Sequence, residues 1–254
     1  MSYGIWLSAA GMQTNEYRQM IAANNIANVD TAGFKQDLAV MRQRRVASEI
    51  DPMQRRFTNP MLDAIGGGLG VRPTYTSFAQ GDLEQTGNPL DAAIVGDGFF
   101  TVTDGDATRY TRDGRFTRNT RGQMVLVTGG GQFRVADQAG QPIVIPSSAK
   151  NVSIARDGTV SADNKPVARI GVVDFADRTV LRKTGAGLFA DDDDKTVPAT
   201  GEVISRAIEK STVDPAAGLA NMVQVARAYE LNARMITIQD QTLDLAVNRV
   251  GRIG

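Results

Sequence analysis

The sequence predicts an α+β protein in which long N- and C-terminal helices pair as a coiled coil around an inserted, all-β central domain. Three patterns carry this prediction. An apolar heptad repeat runs through the C-terminal segment, a narrow helical stripe occupies the N-terminal one, and turn signals punctuate the middle about every 8 to 12 residues.

The C-terminal repeat is the stronger helical signal. Asp214-Pro215 supplies an N-cap followed by proline at the first helical position. Leu219, Ala226, Ala233, Asp240 and Val247 then recur every seventh residue, as do Met222, Tyr229, Ile236, Leu243 and Val250, with Asp240 the one polar member. A helix from roughly 215 to 249 is about 50 Å long, more than a small domain covers. A second stripe, Leu231, Met235, Ile238, Thr242 and Leu245, runs along the side away from that seam. A helix apolar on two sides needs neighbours on both, and one N-terminal helix covers only one of them. Copies of this or related chains are the expected cover for the other.

Residues 3 to about 30 form the N-terminal helix, with Ile5, Ala9 and Met12, then Met20, Ala23 and Ala27, at three- and four-residue spacings. It is expected to stop near Gly33. So narrow and alanine-rich a stripe makes a marginal helix alone, and the terminal segments are expected to order on assembly. In the middle, Asp104-Gly105, Asp113-Gly114 and Asp157-Gly158 each separate two apolar runs and read as hairpin turns. The flanking runs are Phe99–Val102, Thr108–Tyr110, Phe116-Thr117, Val152–Ile154 and Thr159-Val160, with further strands at Met124–Val127, Ile143–Ile145 and Ile170–Phe175. No helical run interrupts them, so a sandwich, barrel or meander is expected. The division is 1–33 N-terminal helix, 34–65 extended connector, 66–205 β domain and 206–254 C-terminal helix. The connector holds Lys35, Arg42, Arg44, Arg45, Arg55 and Arg56 against Asp37, Glu49 and Asp51, and its Arg42–Arg45 cluster reads as a solvated or interface-facing stretch.

Composition excludes several chemistries. Neither cysteine nor histidine occurs, which removes Cys/His zinc sites, thiol nucleophiles and histidine-dependent triads. Twenty-eight basic residues balance 28 acidic ones, so no global attraction to nucleic acid is expected. Gly66–Gly70 and Gly129–Gly131 lack the residues that make a phosphate loop or a dinucleotide fingerprint. Asp191–Asp194 is a solvated run rather than a calcium loop, and Asp104 and Asp106 are turn residues. No catalytic, cofactor or metal site is assigned. No apolar stretch is long enough to span a membrane, and the first twenty residues lack the basic and apolar regions of a cleaved signal.

Ala23-Asn24-Asn25-Ile26-Ala27-Asn28, followed by Thr31, Gly33, Phe34 and Lys35, resembles the signature of flagellar rod and hook proteins. Gln80–Leu83, Thr86, Asn88–Asp91, Gly96–Phe100 and Tyr110–Phe116 are similar to the family's central motif, and Asn221–Val223 with Arg227–Asn232 to its C-terminal helix. Before that helix the family shows Gly-x-Leu-Glu-x-Ser-Asn-Val; here Arg206 takes the glycine place and Thr212 the asparagine place. The resemblance spans nearly the whole chain. It implies a non-enzymatic subunit whose paired helices join an inner tube with the β region outward, transmitting torque. Its partners would be other rod proteins, copies of itself and the flagellar type III export apparatus, through which it leaves the cytoplasm. The implied interface residues are Ile5, Met12, Leu219, Met222, Ala226, Tyr229, Ala233, Ile236, Leu243 and Val247. Within the family a distal rod or hook-type subunit is the alternative; the competing classes are a freestanding secreted or periplasmic β-domain protein that binds glycan or cell wall and, third, an unusual carboxylate hydrolase.

Overall fold

The computed structural model describes residues 2–43, 68–191 and 195–250. Arg44, Arg45, Glu49, Asp51, Arg55, Arg56, Gly66, Gly67 and Asp192–Asp194 lie outside them. The chain divides into two compact units, one of residues 1–27, 37–75 and 214–254 and the other of residues 28–36 and 76–213.

The first unit is built on two helices packed against each other, α1 (Ser2–Ala27) and α2 (Pro215–Val250). Asp214 caps α2 as its sequence position demands, its Oδ1 accepting from Ala216 N at 2.8 Å and Ala217 N at 3.2 Å. α1 ends at Ala27, earlier than expected. Asn28 turns the chain there, its carbonyl accepting from Thr31 N at 3.2 Å. Asn25 exchanges side-chain hydrogen bonds with the backbone of Asp37 at 2.8 and 2.9 Å, so that residue 37 returns beside the helix. Strands Met41–Gln43 and Leu69–Val71 pair antiparallel in the same unit.

The second unit is all-β, and every strand pair described in it is antiparallel. Its largest sheet runs in the order 182–185, 188–190, 108–111, 99–103, 134–135, 124–126, 116–118, with 172–175 beside 99–103 and 196–198 beside 172–175. Successive strand residues face opposite ways, so Phe99 and Phe100 serve two different cores. Phe100 packs edge-on against Phe116 at 5.2 Å among Ile94, Val102, Met124 and Leu126. Phe99 joins Tyr110, Phe175, Leu181 and Phe189. Both phenylalanines are fully buried, which stabilises the fold by about 1.5–3 kcal/mol each.

Two of the three expected hairpins form. Strand 99–103 returns as 108–111 through Asp104-Gly105, and 152–154 returns as 159–162 through Asp157-Gly158. In the first turn Asp104 Oδ1 accepts from Asp106 N and Ala107 N, the turn role expected of it. Asp113-Gly114 is not a hairpin: strand 108–111 pairs with 99–103 and 188–190, whereas 116–118 pairs with 124–126. Asp113 is instead a buried anchor, holding Arg115 through both carboxylate oxygens at 3.0 and 2.9 Å and accepting from the Thr128 hydroxyl. Gly114 lies flat against Ala92, where an added Cβ would fall 1.5 Å from the Ala92 carbonyl oxygen. Ile143–Ile145 forms no strand, although Ile143 and Ile145 are buried and bond through Ile143 N to Val135 O and Ile145 N to Gly122 O.

Candidate assembly surface

The face of α2 turned to α1 follows the heptad Gly218, Met222, Val225, Tyr229, Asn232, Ile236, Gln239, Leu243 and Ala246, all buried or half-buried. The matching face of α1 is Gly4, Ser8, Gly11, Asn15, Arg18, Ala22 and Asn25. It is small and polar rather than the expected stripe, of which Met20, Ala23 and Ala27 are exposed. The register is antiparallel, because Gly4 faces Gln239 and Gly11 faces Asn232. A Cβ at these glycines would stand 2.7 Å from Gln239 Nε2 and 2.9 Å from Asn232 Oδ1. Two amide side chains therefore lie across bare backbone.

Half of the predicted heptad coincides with this seam: Met222, Tyr229, Ile236 and Leu243. Ile5 and Met12 are half-buried on α1, and Ala226 and Ala233 are half-buried beside the seam. Leu219 and Val247 are 50% and 69% exposed. The seam's second row falls one residue earlier than the expected one, at Gly218, Val225, Asn232, Gln239 and Ala246. Apolarity misplaced it, because the buried row contains glycine, asparagine and glutamine. Val247 has a further reason to be open: the register puts Ser2 level with Gln241, so α2 runs on past the start of α1.

The second stripe of α2 is uncovered. Leu231, Met235, Ile238 and Leu245 are 64%, 47%, 47% and 56% exposed, and they lie roughly 120° round the helix from the seam at about 100° per residue. On α1, Tyr3, Trp6 and Leu7 are exposed as well, Trp6 at 73%. Scattered exposed apolar residues are ordinary, whereas these four recur along one side of a single helix.

A separate node lies in the β unit. Lys35, counted by sequence with the extended connector, is fully buried, its Nζ 2.5 Å from Glu209 Oε1 and 2.6 Å from Ala79 O. Arg112 reaches the other oxygen of Glu209 at 3.3 Å and donates to Gly96 O at 2.8 Å. Burial pushes the Lys35 ammonium below the ordinary lysine value, against the pull of the Glu209 carboxylate, and acts likewise on Arg112. Removing one member of such a buried pair leaves an uncompensated charge at a cost of about 3–5 kcal/mol. Gly33 makes the node possible. With φ +66° it crosses the Arg112 backbone, where a Cβ would lie 2.3 Å from the Arg112 carbonyl carbon. The Gly33-Phe34-Lys35 and Arg112-Asp113-Gly114 motifs, 79 residues apart by their first members, are thus one structure. Sequence reasoning did not single out Glu209; its signal was the glutamate of the family pattern before α2.

Three family models match the chain: flagella basal body rod protein over residues 8–35, flagellar hook protein FlgE/F/G D1 domain over 93–162, and flagellar basal body rod FlgEFG protein C-terminal over 204–249. The FlgF rod protein of Caulobacter vibrioides is 34% identical over 258 residues, covering 100% of this chain and 99% of its own. The chain belongs to the flagellar basal-body rod protein family. The FlgG rod protein of Buchnera aphidicola from Acyrthosiphon pisum is 33% identical over 262 residues, with 94% and 96% coverage. That of Bacillus subtilis is 32% identical over 266 residues, with 98% and 99% coverage. This rod protein is a non-enzymatic structural subunit of the basal body. Among its described residues no helix is long and apolar enough to cross a membrane.

Arg206, the departure from the family's glycine, keeps the glycine conformation at φ +58°. Its backbone is held on both sides, Arg206 N donating to Asp91 O at 2.7 Å and Arg206 O accepting from Thr86 N at 2.9 Å. Asp91 is fixed in turn by Thr86 Oγ1 at 2.6 Å and Asn88 Nδ2 at 2.7 Å. Thr212, in the asparagine place, accepts from Gln36 N at 2.9 Å through its hydroxyl.

Proposed function

We propose that the uncovered stripe of α2, with Tyr3, Trp6 and Leu7 of α1, is the surface through which this rod protein assembles with neighbouring rod subunits. The terminal helices then line a shared tube, the β unit faces outward, and torque passes along the rod from motor to hook. The observation that carries this reading is the exposure of Leu231, Met235, Ile238 and Leu245 in a single chain whose other helical face is already engaged. Met222, Tyr229, Ile236 and Leu243, with Ile5 and Met12, set the helix pair that presents this surface. Leu219, Ala226, Ala233 and Val247 lie on the other flank of the seam, where a second neighbour would pack.

The seam itself is thin, with glycine, serine and asparagine along α1, so the helices gain much of their stability only when neighbours add their apolar faces. Export through the flagellar type III apparatus fits this, since a chain without cysteine passes a narrow channel with no crosslink to open. Within the rod the proximal FlgF position is our reading on the Asn88–Asp91 and Gly96–Gly98 wording, with the distal FlgG position as the alternative, since FlgF and FlgG relatives match the chain at similar identity and coverage. Immunogold microscopy of purified basal bodies tests both points. Label at the motor end of the rod is expected; label beneath the hook assigns the distal position, and absence from basal bodies overturns the reading.

A further inference from the structure

The chain crosses between its two units four times, at 27/28, 36/37, 75/76 and 213/214. Every force exchanged along the backbone between helices and β unit passes these points. On the β-unit side, the segments leading from three of them are laid side by side. Ser77 N donates to Gln36 O at 2.9 Å, Thr212 N to Phe34 O at 3.1 Å, and Gly33 N to Glu209 O at 2.7 Å. Gln36 N adds a bond to Thr212 Oγ1.

One buried ion pair ties all three. Lys35 sits on the first segment and donates to Ala79 O on the second. Its counter-ion, Glu209, sits on the third and accepts from Gly81 N at 2.7 Å through the same oxygen that meets Lys35. Arg112 carries the connection onward to the Gly96 carbonyl and lies over the Phe99 ring at 5.2 Å, in the aromatic core. Lys183 clamps the first segment from outside, donating to Lys35 O and lying 4.3 Å over the Phe34 ring.

We propose that the Lys35–Glu209 pair is the mechanical tie of this subunit, the element that keeps the junction segments seated in the β unit when the terminal helices are strained. This rests on the rod reading, because only a subunit that transmits torque experiences such strain. Short, directional charged bonds resist a small extension steeply, whereas apolar contacts yield over a longer distance. A buried pair is often neutral for equilibrium stability when compared with apolar residues of like volume, so a structural role alone does not require it.

The test uses the full chain, whose lack of native cysteine allows two handles, Asp106→Cys and Ala217→Cys, both at exposed positions. The chain is held at constant load between them and the rate of first release is measured. Replacing the charges together by Lys35→Met, Glu209→Leu and Arg112→Met leaves no buried guanidinium without its counter-ion, and is expected to change the melting temperature of the β unit little. It is expected to speed release about tenfold or more, the loss of at least one charge-assisted bond at the barrier. Should the triple variant fail to fold, Glu209→Asp keeps the charge, shortens its reach and speeds release in the same direction. A control, Arg118→Met, removes the Arg118 Nη1 bond to Pro146 O, which involves none of the junction segments, and is expected to leave release unchanged. Equal release rates in wild type and variant overturn the tie, as does equal acceleration by the control. Because the free chain is measured, either result leaves the assembly reading standing; that reading falls on the basal-body measurements alone.

Discussion

Replacing Leu231 by aspartate separates what the stripe does in the free chain from what it does in the rod. Leu231 is 64% exposed in the single chain. Full burial of such a side chain is worth about 1.5–3 kcal/mol, so roughly 1–2 kcal/mol per subunit remains to be gained when a neighbour covers it. Leu231→Asp forgoes that gain and adds the cost of desolvating a carboxylate, roughly 3 kcal/mol or more when no partner is supplied. A loss of about 4 kcal/mol weakens association roughly a thousandfold. In the free chain the same substitution acts at an open helix position, where the change is about 1 kcal/mol or less. The assay pairs urea denaturation of purified chain, followed by circular dichroism, with immunoblots of purified basal bodies normalised to another rod protein. Near-normal stability with loss from basal bodies is expected, and Leu231→Met is expected to restore incorporation. Wild-type incorporation of Leu231→Asp, or a free chain destabilised by several kcal/mol, refutes the reasoning.

The remaining predictions address the supports of that surface. Ile236→Asp acts on the intramolecular seam, so the free chain is expected to lose helical ellipticity while the β unit melts as before, and incorporation into basal bodies is expected to fail. Gly11→Leu drives a side chain into Asn232 and is expected to cost about 1–3 kcal/mol of helix-pair stability, read by the same ellipticity. Arg206→Gly removes a left-handed conformation costing about 1–2 kcal/mol but adds chain entropy worth about 0.5–1 kcal/mol. A net gain of about 0.5–1 kcal/mol is therefore expected in the urea unfolding of the β unit.

The division into two terminal helices and a β domain was legible because helical and strand periodicities differ and neither is disguised here. Met222, Tyr229, Ile236 and Leu243 were legible for the same reason. The second row of the seam was not, since Asn232 and Gln239 are buried against Gly11 and Gly4, and a search for apolar residues steps over them to Ala233 and Asp240. Asp113-Gly114 has the composition of a turn but the burial of a core anchor; local sequence carries the first property and only tertiary packing the second. Lys35 shows the same limit. A lysine at the head of a basic connector carries no local sign of burial, and its partner Glu209 lies 174 residues away. The outer stripe at Leu231, Met235, Ile238 and Leu245 was legible from spacing, and the fold leaves it open.

The most direct measurement of the central claim is the accessibility of a single thiol at Ile238. Ile238→Cys introduces a thiol into a chain that otherwise has none, on the exposed stripe. Maleimide labelling is expected to be rapid in the purified chain and suppressed in intact basal bodies. Equally rapid labelling in both contradicts the account, because the stripe would then face solvent in the rod as it does in the free molecule.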